Sequence, residues 1–401
     1  MDRLASTALR VRAWCLSLTA ALAVGGCQIP GPRPGMPHEA RAARTVHDHG
    51  LDDTLQTIRN ARFMVEDGGP SQPLAARIRA TAADRAIIVG ERHDHYEDHL
   101  VQLAVLDARL AGGAPVTIGV EWFQSDVQQA LDDYVSGRID ERTLLRRSDY
   151  FRRWGFDYRL YRPVLRYARR HGIPVVALNA PPARVETVSR NGFIALPESV
   201  RRRAARVSDL APDYVQRLRD VFEQHPAAGD FERFVAVQLL WDETMAGNAA
   251  EYLRTHPDRS LVLFMGVGHA AAAHAVPERL AQRIGRPPLV VTPTTDREDA
   301  GPATDLRVPV EPLALPDPGR LGIRMGDAVN GVAIQSVTPG SAAAAADLRG
   351  GDRILAVDGT ATDSPADVRL ALYEKSPADT VEVQYRRPSE GKARTVPITL
   401  R

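Results

Sequence analysis

Between residue 51 and about residue 295 the chain repeats one hydrophobic pattern, a short unbroken apolar run followed by a longer amphipathic stretch. The runs cover residues 86–90, 116–120, 174–178 and 260–265. Each is rich in β-branched or large aliphatic residues and lacks polar alternation, the pattern of a strand buried on both faces of a parallel sheet. Residues 289–292 predict one more strand, at the sheet edge. The stretches between them carry helical spacing, as with Leu100, Leu103, Leu106 and Leu110. This order predicts an α/β domain over residues 51–295, a mainly parallel sheet flanked by helices. Past residue 319 the pattern changes to short strands and tight turns, predicting a small β-rich domain over 319–401 with one helix near 364–373. Residues 27–50 and 296–318 are proline-rich and have no hydrophobic period, so they predict a tether and a linker.

The N-terminus adds an address. Arg3, Arg10 and Arg12 precede a short apolar run, and Val24-Gly25-Gly26 sets small residues before Cys27. A run of about a dozen apolar residues is too short for a bilayer, which needs roughly 20. It fits the core of a signal peptide over residues 1–26. Cleavage before Cys27 would make that cysteine the lipidated first residue, so the expectation is a membrane-tethered lipoprotein of the cell envelope. Gln28 stands where an inner-membrane retention signal would place Asp, which favours the outer membrane. Cys15 lies inside the signal, so the mature chain holds no cysteine beyond Cys27, and disulfides, Fe–S clusters and Cys-ligated zinc are excluded. A net charge of +1 over 401 residues argues against a nucleic-acid surface. Lys375 and Lys392 are the sole lysines, and the arginine excess reads as the coding bias of a GC-rich genome.

Candidate chemistry lies at the strand ends. Glu91 and His93 follow the first strand, Glu121 the second, Asn179 the third, and Gly266, Gly268 and His269 the fourth. Parallel sheets bind ligands beyond the carboxyl ends of their strands, so these groups are expected at one sheet edge. Carboxylate and imidazole together suit a divalent metal such as Mn, Co, Zn or Fe, and suit general acid–base chemistry equally. Helix caps and turns also place polar residues after strands. His95 and His99 would form an i, i+4 pair, although Asp94, Glu97 and Asp98 around them predict a solvated helix start; His274 reads as a surface residue.

Five motifs then carry a family resemblance: Gly90-Glu91-Arg92-His93-Asp94, Gly119-Val120-Glu121-Trp122-Phe123, Trp154-Gly155-Phe156-Asp157, Ala177-Leu178-Asn179-Ala180-Pro181 and Gly266-Val267-Gly268-His269. In this order, over about residues 55 to 295, they resemble the ChaN-like family, within the superfamily of haem-binding uptake proteins and Tiki-type proteases. Gln238, Trp241, Asp242 and Met245 resemble the family's helix before the last motif. The resemblance implies an iron-regulated envelope lipoprotein that binds haem or iron, and it allows a homodimer. Tiki-type relatives use the matching Glu and His positions for metal-dependent peptide cleavage, which makes a metal-dependent hydrolase with Glu91, His93, Glu121 and His269 the alternative. More distant esterase-like relatives hydrolyse without a metal.

The segment 149–163 fits haem in composition. It holds Tyr150, Trp154, Phe156, Tyr158 and Tyr161 among Arg152, Arg153, Arg159 and Arg162. A tyrosine phenolate is one axial ligand for ferric haem, aromatic faces supply apolar walls, and arginines pair with propionates. Core aromatics with arginines outside would read the same way, and the sequence does not choose among the tyrosines.

The C-terminal region resembles a bacterial PDZ domain, on Gly351-Asp352-Arg353-Ile354 and Val357-Asp358-Gly359 at their observed spacing. Asp358-Gly359 is a hairpin turn signal. By the resemblance, Leu321, Gly322 and Ile323 would turn backbone N–H groups toward a peptide C-terminus that pairs with a sheet edge.

Overall fold

The computed structural model describes residues 44–45, 50–81, 85–113, 115–202, 206–223, 229–295 and 301–401. The signal peptide, Cys27 and most of the tether lie outside the described residues. Two compact units share the chain, one reaching residue 138 and resuming over 160–314, the other made of 139–159 and 315–401.

The first unit is built on a six-stranded parallel sheet. Its strands are β1 (Ala86–Glu91), β2 (Val116–Gln124), β3 (Val175–Asn179), β4 (Ser260–Gly266), β5 (Leu289–Thr294) and β6 (Leu306–Pro309), in spatial order β3-β2-β4-β1-β5-β6. The four apolar runs became β1, β2, β3 and β4, and every residue of β1, β2 and β4 is buried, while β3 lies at one edge of the sheet. The chain leaves β1, skips a position to β2 and returns later to insert β4 between them. That reversal of direction falls at the carboxyl ends of β1, β4 and β2, the place where open parallel sheets bind ligands. The sheet edge differs from expectation. β6 forms from the stretch read as linker and pairs with β5, so β5 is not the edge strand. Its inward residues Leu306 and Val308 alternate with exposed Arg307 and Pro309, a half-buried pattern that four residues among prolines barely display.

Two helices matter for the site. The helix α1 (Tyr96–Ala111) follows β1, and α6 (Phe231–Thr255) precedes β4. α6 starts at Asp230, whose side chain accepts the Arg233 amide as an N-cap. Met245, Ala246, Ala249 and Leu253 of α6 join Ile88, Leu261, Leu263 and Met265 in one core cluster. Between β2 and β3 run α2 (Glu141–Arg147), α3 (Tyr150–Arg153) and α4 (Tyr158–His171), and α5 (Pro212–Glu223) precedes α6.

The second unit contains an antiparallel sheet of β7 (Ile323–Asp327), β8 (Val332–Val337), β9 (Arg353–Val357), β10 (Thr360–Ala361), β11 (Thr380–Arg386) and β12 (Ala393–Thr399). Asp358 and Gly359 take φ of 47° and 73° between β9 and β10, the paired left-handed geometry of a type I′ hairpin. The helix α7 (Pro365–Leu372) starts in a capping box between Ser364 and Asp367. Val332, Ile354, Val368, Val381 and Ile398 fill the core.

Candidate strand-end site

The sheet delivers four predicted groups to one place. Glu91 ends β1, and its Oε1 lies 2.8 Å from His93 Nδ1 across the turn that follows. Its other oxygen takes a hydrogen bond from Gln102 Nε2 at 2.6 Å and pairs with His99 Nδ1 at 3.1 Å. Glu121 lies late in β2, where the register against β3 shifts between Val120 and Gln124. An irregularity of this kind re-aims side chains beside functional sites. Glu121 Oε2 accepts the Gly266 amide at 2.6 Å, and Oε1 lies 3.7 Å from His269 Nε2. A Cβ at Gly266 would sit 2.8 Å from His93 Cε1, 3.0 Å from its Nε2 and 3.5 Å from Glu121 Oε2. His93 and Glu121 therefore crowd the end of β4, where a glycine makes the room.

Sequence reasoning missed the outer partners. His269 Nδ1 lies 2.5 Å from Asp242 Oδ1 on α6, and Tyr214 of α5 donates to Asp242 Oδ2 at 2.7 Å. Asp242 was legible as part of a motif but not as an orienter of His269; Tyr214 had no sequence signal. His99 corrects an expectation. The start of α1 is not a solvated helix end, because Glu97, Asp98 and His99 are all buried. Asp98 accepts the Arg92 amide and two guanidinium hydrogens, which folds the turn after β1 back onto the helix. His274 is partly exposed and pairs with Asp213 and Glu278.

The electrostatics follow from burial. Desolvation pushes the Glu91 pKa up, but the charge of His99 and the hydrogen bond from His93 outweigh it and hold the carboxyl well below its usual range. His99 moves the other way: burial lowers its pKa, and Glu91 raises it past the ordinary value. Asp242 is lowered, burial being overcome by His269. Burial, with the charge of Asp242, raises the Tyr214 phenol well above its normal value. Each histidine thus has one ring nitrogen oriented by a carboxylate, an arrangement that fixes imidazoles for acid–base work or metal ligation.

The remaining predicted residues lie elsewhere. Asn179 ends β3, and its carboxamide oxygen takes the Ala180 amide. Tyr161 is in the first unit beside the cluster, donating to the His93 carbonyl at 3.2 Å. Tyr150 and Tyr158 belong to the second unit, their rings 5.3 Å apart, so the aromatic segment is divided in sequence between the two units. All three tyrosines are at most 1 % exposed. In the second unit Leu321 is buried and its carbonyl accepts the Ala343 amide. Gly322 has φ of 75°, and a Cβ there would overlap Ser341, so glycine is required by both backbone and space. Ile323 opens β7.

As packed, the three tyrosines are enclosed, and His93 and His269 are at most 5 % exposed. None presents a donor to a flat porphyrin, so none is assigned as an iron ligand. Among the described residues no group of three or more His, Cys, Asp and Glu is arranged to hold a metal ion. The donor types at Glu91, His93, Glu121 and His269 suit a divalent cation, but the carboxylates are committed to Gln102, His99 and the Gly266 amide. No described helix is long and apolar enough to cross a membrane.

Fold and site define an α/β domain with a buried strand-end cluster, joined in one chain to a small antiparallel β module. Residues 77–280 match the family model for haem-binding uptake proteins of the Tiki superfamily, ChaN, and the chain belongs to that family. Residues 319–400 match the PDZ domain. The solved structure of ChaN of Campylobacter jejuni, described with cofacial haem binding, is similar over 62 % of this chain and 97 % of that one, at 14 % identity and a TM-score of 0.51. At that identity the likeness concerns the fold. Two serine proteases Do-like HtrA, from Lactococcus lactis subsp. cremoris and subsp. lactis, are each 36 % identical over 107 and 106 residues. The match covers 26 % of this chain and 26 % or 25 % of those proteins, so the chain spans about a quarter of the curated relatives it matches.

Proposed function

We propose that this protein captures haem at the cell envelope, held there by a lipid on Cys27, while its PDZ domain recruits a partner by a peptide C-terminus. The observation that supports the reading is the family match over residues 77–280, which encloses the whole strand-end cluster. Haem would bring two apolar faces, an iron that takes axial donors, and propionates that pair with arginine. This chain's part is to offer a surface for it while the Glu91 and Glu121 networks hold the carboxyl ends of the strands in one arrangement. A haemin titration of residues 28–401 tests the reading. The expected result is a shifted, saturable Soret band that survives Tyr→Phe changes at 150, 158 and 161. Loss of the band in one of those variants would mean that the aromatic packing opens to ligate iron; no band in any form ends the haem reading.

A second reading is favoured by one observation, the oriented chain Tyr214–Asp242–His269–Glu121. It is hydrolysis at the strand ends, with His269 moving a proton and Asp242 holding its ring, with or without a divalent metal. Metal analysis and peptide cleavage on the same preparation address it. Cleavage by wild type that disappears in Glu121→Gln would support it, and cleavage that persists in that variant would remove it.

A further inference from the structure

His95 stands on the turn that follows β1, two residues past His93, but its ring is paired with Asp94 and not with Glu91 or Glu121. Its side chain is 39 % exposed, whereas His93, His99 and His269 are buried. Its Nδ1 lies 2.8 Å from Asp94 Oδ1, and among the described residues no hydrogen bond reaches its Nε2. The turn itself is tied down. The His95 amide donates to the Arg92 carbonyl at 3.0 Å, and the Asp98 amide donates to the His95 carbonyl at 3.1 Å. Arg92 is in turn bonded to Asp98 through its amide and its guanidinium.

Asp94 is 54 % exposed, and an ion pair so open to water adds little to stability. What it does is aim the ring. A metal-bound imidazole donates its second N–H to a carboxylate, which fixes the tautomer and makes the other nitrogen a stronger donor. His95 already has that form, with Nε2 as the donor. Haem iron takes an imidazole along its axis, and the donor must stand clear of its surroundings for a flat macrocycle to reach it. The enclosed tyrosines, His93 and His269 do not meet that requirement as packed. His95 does.

The described histidines outside the cluster lie elsewhere or are occupied. His171 ends α4 and His256 follows α6, so they precede β3 and β4 at the amino ends of those strands, the opposite edge of the sheet. His274 has one ring nitrogen on Glu278 and the other on Asp213.

We propose that His95 is the residue through which this chain ligates haem iron, by Nε2, with Asp94 positioning its ring. Nε2 gives its lone pair to the iron, and the imidazole proton stays on Nδ1 against Asp94. This rests on the haem reading and supplies the donor that the tyrosines and the buried histidines do not.

Haemin titration of residues 28–401 tests it, followed by absorption and by electron paramagnetic resonance of the ferric form. The variants are His95→Gly, Asp94→Asn and, as a control, His171→Gln. Glycine is an accepted N-cap residue, so α1 keeps its start. The wild type is expected to show an imidazole-ligated spectrum, which His95→Gly loses and free imidazole restores to that variant. Asp94→Asn is expected to keep the ligand, bind haem about ten-fold more weakly and move the iron's reduction potential to a more positive value. His171→Gln should match the wild type. A His95→Gly protein with wild-type affinity and spectrum overturns the proposal and leaves the haem reading standing. Weaker binding in His95→Gly whose residual haem keeps the wild-type spectrum also overturns it, since that is a structural effect. A wild type that binds no haem overturns both.

Discussion

At the scale of single residues, Glu91 is held on both carboxylate oxygens. It is 1 % exposed, charged, and held by two imidazoles and an amide. Its folded pKa lies below the unfolded value of about 4.3, so its stabilisation is present above that pH and is lost as pH falls through the folded pKa. The folded pKa of His99 lies above its unfolded value of about 6.5, so its stabilisation is full below 6.5 and lost as pH rises through the folded value. The pair is strongest between about pH 4.3 and 6.5. Replacing His99 by Gln should cost about 3 kcal/mol in that window, the cost of breaking a buried pair. Thermal melts of wild type and variant should converge as pH rises through the folded His99 pKa, and a gap that does not narrow with rising pH would contradict this account. Gly266→Ala tests the crowding at β4. Its methyl would overlap His93, so a loss of about 1–3 kcal/mol is expected from overpacking, and wild-type stability would refute the geometry. Glu91, His93, Glu121 and His269 were legible because strand ends are visible as the places where apolar runs stop. Tyr214 and the Glu91–His99 pair were not, because residues far apart in sequence, or on a helix start that looks solvated, meet only after packing.

At the scale of elements, the buried strands were the easiest to read, since a continuous apolar run has few other uses. The bounds moved by polar residues at the ends: β2 continues through Glu121 to Gln124, four residues past the apolar run. β6 was hidden by its prolines and its four-residue length. Helix α6 spans 25 residues and puts Asp242 where the sheet needs it while its apolar side covers β4. Because β4 is central, truncating it should be costly. Leu263→Ala, at a fully buried position, is expected to lose about 2–5 kcal/mol in denaturant unfolding, and a loss under 1 kcal/mol would show that β4 is not the centre of the core.

At the scale of the whole molecule, the sequence separated a large α/β region from a small β-rich one, and the family models match residues 77–280 and 319–400. It did not reveal that residues 139–159, inside the first match, cluster with the second unit. Their aromatics looked like a haem wall because composition cannot tell which partner a ring packs against; Phe151 and Tyr158 face Tyr373. The anchor is a proposal with its own test. Cys27→Ser should abolish metabolic labelling by palmitate and release the protein from the membrane fraction, and an unchanged membrane fraction would refute lipid attachment at that cysteine. The central claim, haem capture, is tested most directly by purifying the protein from envelopes of haem-supplied cells and assaying bound haem as the pyridine haemochrome. The account predicts haem in stoichiometric proportion to the chain; protein that emerges free of haem, and takes none up when haemin is added, would contradict it.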